Sequence, residues 1–303
     1  MARPVQIASP AQKERKIQVS VTPRLNRMFA PDGKCFDIAI DHGCFGEYSF
    51  LHGIEDIRKA VALLVEAGPD AIQLGPGQAH YLQEIPGRNK PALVMRTDAG
   101  DFYGRELPRY LFCELMEQAV ERALVLDAAC VVVNLLLLPG QPELYHQSVR
   151  NVSRLKPICE RYGMPLMVEP LAMRPNSEQG GYMVDGDIRK IIPLVRQAVE
   201  LGADVIKADP CDDVTEYHRV VETAGNVPVL VRGGGKDDEA AVLRRTAEVM
   251  RQGAKGIVYG RNVTQHKSPA LMTKSLMAIV HEGASAEQAL AILRSEGGEA
   301  RGA

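Results

Sequence analysis

Several familiar signatures are missing from the sequence, and each absence narrows the field. Six cysteines (Cys35, Cys44, Cys113, Cys130, Cys159 and Cys211) include no CxxC pair, which argues against a disulfide framework and for buried thiols in a reducing compartment. Seven histidines form neither an HExxH motif nor a Cys/His ladder, so no dedicated zinc site is expected. No apolar run approaches the ~20 residues of a membrane span; the longest, 128–139, is interrupted by Asn134. The N-terminus carries no apolar core of a secretion signal. A net charge of −2 leaves no electrostatic footprint for nucleic acid. The expectation is a cytoplasmic protein with no metal, no cofactor, and no membrane or nucleic-acid partner.

The 303 residues are 46% hydrophobic and 24% charged. That balance is ordinary for a globular protein, and this length suffices to bury about three quarters of the unfolded chain's surface. Along the chain, short apolar runs rich in β-branched residues alternate with segments of helical period. Strands are predicted at 36–41, 70–74, 92–96, 130–135, 166–169, 204–208, 229–231 and 256–259. Helices are predicted at 54–66, 78–84, 111–126, 141–161, 186–201, 214–224, 237–251, 268–281 and 285–295. Gly68, Gly202 and Gly253 each sit between a helix and a strand, where a left-handed residue ends a helix. Eight βα units in about 250 residues match a (β/α)8 TIM barrel. An open doubly wound sheet would carry its ligand at a switch point, and no GxGxxG follows the first strand. The expected plan is a single α/β domain: an N-terminal extension over 1–30, the barrel over 31–283, and a helical tail over 284–303, with fraying at 297–303.

In such a barrel the chemistry gathers at the C-terminal ends of the strands. Those ends read Asp41-His42-Gly43, Gln73, Arg96, Asn134, Glu169-Pro170, Lys207-Ala208-Asp209, Arg232 to Lys236, and Gly260-Arg261-Asn262. Charged and amide side chains thus crowd one end of otherwise apolar strands. Arg232-Gly233-Gly234-Gly235-Lys236 and Gly260-Arg261 follow the seventh and eighth strands. Glycines there let backbone N–H groups approach an anion, and Arg232, Lys236 and Arg261 add charge. Lys236 is followed by Asp237, so this is not a Walker A loop. A phosphorylated small molecule is the expected ligand.

Lys207 interrupts the apolar run 203–208. A lysine facing a barrel interior is costly to bury charged, and a lowered pKa would free its amine to form a Schiff base. The alternative is a structural ion pair with Asp41 or Asp209. Asp41 and Glu169 are candidate general acids or bases, and His42 a hydrogen-bonded orienter. Arg96 either binds a second anion or holds the carboxylates. Cys44 has no activating base nearby and is expected to pack.

Together these residues resemble the class I (Schiff-base) aldolase family of archaeal-type fructose-bisphosphate aldolases and phospho-autoinducer-2 thiolases. The matching motifs are Ile40-Asp41-His42-Gly43, Gly202 to Lys207, Arg232 to Lys236, and Gly260-Arg261-Asn262-Val263. Segments 24–29 and 146–151 and the tail after His281 resemble the thiolase members. The resemblance implies a TIM barrel, a Schiff base at Lys207, a phosphate site in the last two loops, no metal, and a homo-oligomer as large as a decamer. One departure stands out. The aldolases carry a proton-transferring tyrosine at the end of strand 4, and Leu136 to Gln141 has no hydroxyl. Either Glu169 takes over, or the reaction is not the usual aldol cleavage. Three functions follow: carbon–carbon lysis or synthesis on a phosphorylated keto sugar, acyl transfer from a phosphorylated dione, or a non-catalytic sugar-phosphate-binding barrel.

Overall fold

A computed structural model describes residues 21–295. Its eleven strands are β1 (Cys35–Ala39), β2 (Ala71–Leu74), β3 (Ala92–Arg96), β4 (Asp98–Asp101), β5 (Phe112–Leu115), β6 (Cys130–Leu137), β7 (Leu166–Pro175), β8 (Tyr182–Val184), β9 (Val205–Ala208), β10 (Val229–Arg232) and β11 (Gly256–Tyr259). Eight of them, β1, β2, β3, β6, β7, β9, β10 and β11, pair in parallel with their neighbours. The β1–β11 and β6–β7 pairings close the ring. This is a (β/α)8 TIM barrel.

The helices are α1 (residues 21–28), α2 (Ile57–Ala67), α3 (His80–Gln83), α4 (Ala119–Val125), α5 (Pro142–Tyr162), α6 (Ile188–Glu200), α7 (His218–Ala224), α8 (Glu239–Arg251), α9 (Arg261–Thr264), α10 (Pro269–Glu282) and α11 (Ala286–Ser295). Local chemistry sets their ends. Asp56, Asp187 and Asp238 accept backbone N–H bonds at the starts of α2, α6 and α8, satisfying donors that a first turn leaves open. Gly68, Gly202 and Gly253 all adopt positive φ just past helix ends, as the spacing predicted.

Strand period explains the core. Alternate residues face opposite sides of a strand. Ile38, Ile72, Leu93, Val131, Val168, Ile206, Val231 and Ile257 belong to the large core that includes the buried faces of the helices. Their neighbours Cys35, Ala39, Ala71, Val94, Val132, Met167, Val205, Leu230 and Val258 form a separate inner core. Burial of this kind contributes roughly 1.5–3 kcal/mol per large apolar side chain. Met28 of α1 joins the inner core, and Leu25 and Phe29 pack against it. Arg24 donates to Ala128 O at 2.7 Å, and Arg27 forks onto Asp127. Residues 21–28 are therefore packed onto the barrel rather than extended as an arm. Residues 1–20 of the expected N-terminal extension and the expected fraying at 297–303 lie outside the described residues. At the other end, Ala289 and Leu293 of α11 are buried.

Three local expectations are corrected. The helix predicted over 111–126 is strand β5 followed by α4, and β5 pairs antiparallel with β4. The helix predicted over 78–84 is reduced to α3. Strands β6 and β7 run well past Asn134 and Glu169, their pairing continuing to Leu137 and Ala172. Beyond that, β7 turns back through β8. The two hairpins and the extended strands raise an apolar wall on one side of the mouth, built from Phe45, Phe50, Phe102, Tyr103, Leu136, Leu138, Leu171 and Met173.

Candidate active site

The inward-facing period that buries Val94, Val132, Met167, Val205 and Leu230 also carries, two residues further along each strand, Arg96, Asn134, Glu169, Lys207 and Arg232. Gln73 and Asp41 follow Ala71 and Ala39 in the same way. All but Arg232 are buried, and it is only partly exposed. Adjacent strands set neighbours side by side, with Asn134 opposite Glu169 and Leu230 opposite Lys207.

Lys207 Nζ lies 3.1 Å from Glu169 Oε2 and donates to Gln73 Oε1 at 3.2 Å. Gln73 Nε2 donates to Asp41 Oδ2 at 2.7 Å. Asp41 accepts from the amide nitrogen, so the amide oxygen of Gln73 faces the lysine. The ion pair of Lys207 is thus with Glu169. Of the two partners weighed from sequence, Asp41 pairs with Arg96 at 2.6 Å and Asp209 takes Arg232 Nη1 at 3.0 Å.

Arg96 is 1% exposed. Its Nε donates to Asp41 Oδ2 at 2.6 Å and its Nη2 to Glu169 Oε2 at 2.6 Å. Its Nη1 donates to Asp98 Oδ1 at 3.2 Å and Asn134 Oδ1 at 3.3 Å. Every nitrogen is engaged, so Arg96 holds the carboxylates rather than binding a second anion. Arg232 is similarly committed: Nε lies 2.9 Å from Glu169 Oε1, and Nη2 donates to Tyr103 Oη at 3.1 Å. Arg232 still lines the inner cavity beside the expected phosphate loops.

The electrostatics follow from this packing. Burial would raise the Glu169 carboxyl, but Lys207, Arg96 and Arg232 together hold it well below the usual carboxylate range. The same contest, won by Arg96 and Lys207, keeps Asp41 ionised. A carboxylate so stabilised accepts protons poorly, which weighs against the expectation that Glu169 takes over proton transfer. Burial lowers the Lys207 ammonium pKa, with Arg96 and Arg232 reinforcing it against the pull of Glu169. Burial pushes Asp37, one layer beneath on β1, up to about 7, and Asp209 up to about 6. His42 is pressed down to about 4 by burial and packs edge-on against Phe50. Burial pushes the Cys44 thiol up to about 12, in keeping with a packing role.

The glycine loops form one rim. Asn262 Nδ2 donates to Gly233 O and Gly235 O at 3.1 and 3.2 Å, and Arg261 Nη2 to Gly234 O at 3.2 Å. Because each peptide is planar, carbonyls tied back in this way turn the amides that follow them to the opposite side. Gly234 needs its φ of +65°. At Gly260 a Cβ would lie 2.4 Å from His42 Cε1 and 2.6 Å from Ala39 O, so no larger residue fits. The Arg261 guanidinium stacks 4.2 Å from the Phe50 ring centre. Lys236 is exposed at the outer edge. The start of α8 is already occupied by the Asp238 cap and adds nothing to the rim.

Between these groups lies an inner cavity of about 40 Å³, lined by Asp41, Arg96, Lys207, Arg232, Gly233, Gly234 and Gly260 among others. An outer cavity of about 270 Å³ shares Phe50, Tyr103, Arg232 and Arg261 with it. Sequence reasoning missed Tyr103, Phe45, Phe50 and Asp98. None of them ends a predicted strand, and their places depend on the hairpin and on two short 3₁₀ turns (His42–Phe45 and Tyr48–Leu51). Tyr145, the hydroxyl nearest in sequence to the missing strand-4 tyrosine, bonds Gln197 on the outside of the barrel.

A buried lysine and its counter-charges at the C-terminal mouth of a (β/α)8 barrel define an enzyme of the barrel class. Residues 35–266 match the model of the DeoC/LacD family aldolases. The chain belongs to that family, and to its class I aldolases. It is 29% identical to an uncharacterized aldolase of Saccharolobus solfataricus, over 89% of this chain and 98% of that one. It is 31% identical to the 3-hydroxy-5-phosphonooxypentane-2,4-dione thiolase of Photorhabdus laumondii, over 90% and 86%. Among solved structures it resembles an archaeal fructose 1,6-bisphosphate aldolase at a TM-score of 0.70 and 26% identity, covering 87% of this chain and all of that one. A second structure, of an archaeal fructose-1,6-bisphosphate aldolase with its catalytic Lys bound to a carbinolamine intermediate, matches at 0.69 and 25%, over 86% and 99%. Among the described residues, no helix is long and apolar enough to cross a membrane.

Proposed function

We propose that the protein makes or breaks a carbon–carbon bond in a phosphorylated keto sugar through a Schiff base on Lys207. The observation that carries this reading is the lysine's setting: a buried amine between Glu169 and Gln73, with its charge disfavoured by burial and by two neighbouring arginines. Its neutral amine adds to the substrate ketone, and loss of water leaves an iminium. The iminium draws in the electron pair released when the adjacent carbon–carbon bond breaks. Glu169 serves as the counter-ion that positions Lys207. Asp41 orients Gln73 and shares Arg96 with Glu169. The phosphate lies against the amides of Gly234 and Gly235 and against Gly260, with Lys236 and Arg261 supplying charge, while the Gly233 amide stays bonded to Val258 O. The chain assembles as a homo-oligomer.

A second reading, acyl transfer from a phosphorylated dione, draws support from the 31% identity to the Photorhabdus thiolase. It uses the same iminium, and product analysis with and without coenzyme A separates the two. The test of the shared step is borohydride reduction with dihydroxyacetone phosphate, followed by intact-protein mass. Wild type should gain one adduct and Lys207→Met none. An adduct that persists in the variant would move the Schiff base elsewhere, with Lys236 next in line.

A further inference from the structure

One neutral O–H group lines the inner cavity together with Lys207, and it comes from an unexpected segment. Tyr103 follows β4 in the hairpin after the third barrel strand. Its backbone bridges Gly181 in the turn of the β7–β8 hairpin, and its ring packs between Phe45, Phe50 and Phe102. That packing leaves the side chain little freedom. The residue is 9% exposed, and its hydroxyl accepts from Arg232 Nη2 at 3.1 Å. The same guanidinium binds Glu169, the partner of Lys207. The other proton carriers around the cavity are poorly suited. Asp41 and Glu169 are held ionised by arginines. The His42 ring is pressed against Gly260, with Nδ1 unpartnered.

We propose that Tyr103 is a catalytic residue, the acid and base that moves the substrate's protons at the Lys207 iminium. This rests on the Schiff-base reading above. When the carbinolamine collapses, its C–O bond breaks and the iminium C=N forms. The Tyr103 O–H gives its proton to the departing oxygen, which leaves as water. The resulting phenolate keeps the Arg232 hydrogen bond. It then takes the proton of the substrate hydroxyl as the carbon–carbon bond breaks and the electron pair moves to the iminium nitrogen, giving an enamine and an aldehyde. With a ketone that has no bond to cleave, the phenolate takes an α-C–H proton instead, and the phenol returns it. Burial keeps the resting phenol protonated against the pull of Arg232 and Arg261, with Glu169 and Asp209 adding to the effect.

The test uses dihydroxyacetone phosphate in deuterated water, with α-hydrogen exchange followed by NMR. Borohydride trapping on Lys207 after long incubation is measured in parallel. Tyr103→Phe should still trap on Lys207 while exchange falls roughly 10²- to 10⁴-fold, the scale for a positioned acid or base. Tyr103 replaced by a fluorotyrosine, whose phenol is more acidic, should exchange and move the alkaline limb of the pH profile to lower pH. Exchange in Tyr103→Phe within about threefold of wild type, or a limb that stays in place with fluorotyrosine, overturns the assignment. If wild type itself gives no adduct on Lys207, the Schiff-base reading fails and this proposal fails with it.

Discussion

Asp37 offers a quantitative test of how the barrel interior is built. It stands on the inward face of β1 beneath Asp41, fully buried, with neither carboxyl oxygen hydrogen-bonded. Burial raises its pKa from 3.8 to about 7, although Lys207 draws it partly back. An acid whose folded value is raised holds its proton more tightly in the native state than in the unfolded chain. Stability therefore falls as pH rises from about 4 to about 7 and levels off above that window. Each pH unit in between is worth about 1.4 kcal/mol, so roughly three units remove on the order of 4 kcal/mol. Asp37→Asn keeps the shape and abolishes the titration. Urea unfolding of both proteins at several pH values between about 4 and 8 measures the effect. The stability of the variant relative to wild type should climb steadily across the window and then stay constant. A difference that does not change with pH would refute the buried, unpaired carboxyl. A variant that gains at low pH and loses at high pH would refute the sign.

Three more perturbations address separate parts of the account. Arg96→Met leaves Asp41, Asp98 and Glu169 without their shared cation and should destabilise the fold by about 3–5 kcal/mol; a loss under about 1 kcal/mol by chemical denaturation would dissolve the network. Gly234→Asp forces a side chain into a left-handed position, straining the backbone by roughly 1–2 kcal/mol, and sets a carboxylate at the rim. Calorimetry should then register a strong loss of affinity for phosphorylated ketoses, whereas unchanged affinity would remove the rim from the phosphate site. His281 bonds Asp32 at 3.0 Å and Asp70 at 2.9 Å, and the bond to Asp70 leads in raising its pKa above 6.5. Its contribution is complete below pH ~6.5 and is lost as pH rises through the raised folded value. The melting-temperature gap between wild type and His281→Asn should accordingly be widest in mild acid and narrow in alkali.

Much of this is legible in the sequence alone. Lys207 announced itself by interrupting an apolar run, and strand period alone puts it on the same face as Val205. The barrel followed from eight apolar runs and from glycines such as Gly68 and Gly202 set between helix and strand. What remained hidden depended on contacts between distant segments. The partners that saturate Arg96 come from the end of β1, from β4, from β6 and from β7, and no local pattern reveals that its donors are all engaged. The fully ionised state of Glu169 is a product of three cations delivered by three other strands. Leu111, Leu115 and Ala119 recur at helical spacing, so the sequence pattern alone places β5 inside a helix over 111–126. That pattern conceals the β4–β5 hairpin and with it Tyr103, whose position depends on that hairpin meeting Gly181.

The most direct test of the central claim is a crystal soaked with a panel of phosphorylated ketoses. Continuous density should run from Lys207 Nζ to the ligand's former carbonyl carbon, with the phosphate seated against the amides of Gly234 and Gly235. Density that ends short of Lys207, a bond to Lys236 instead, or a phosphate bound away from both glycine loops would contradict the account.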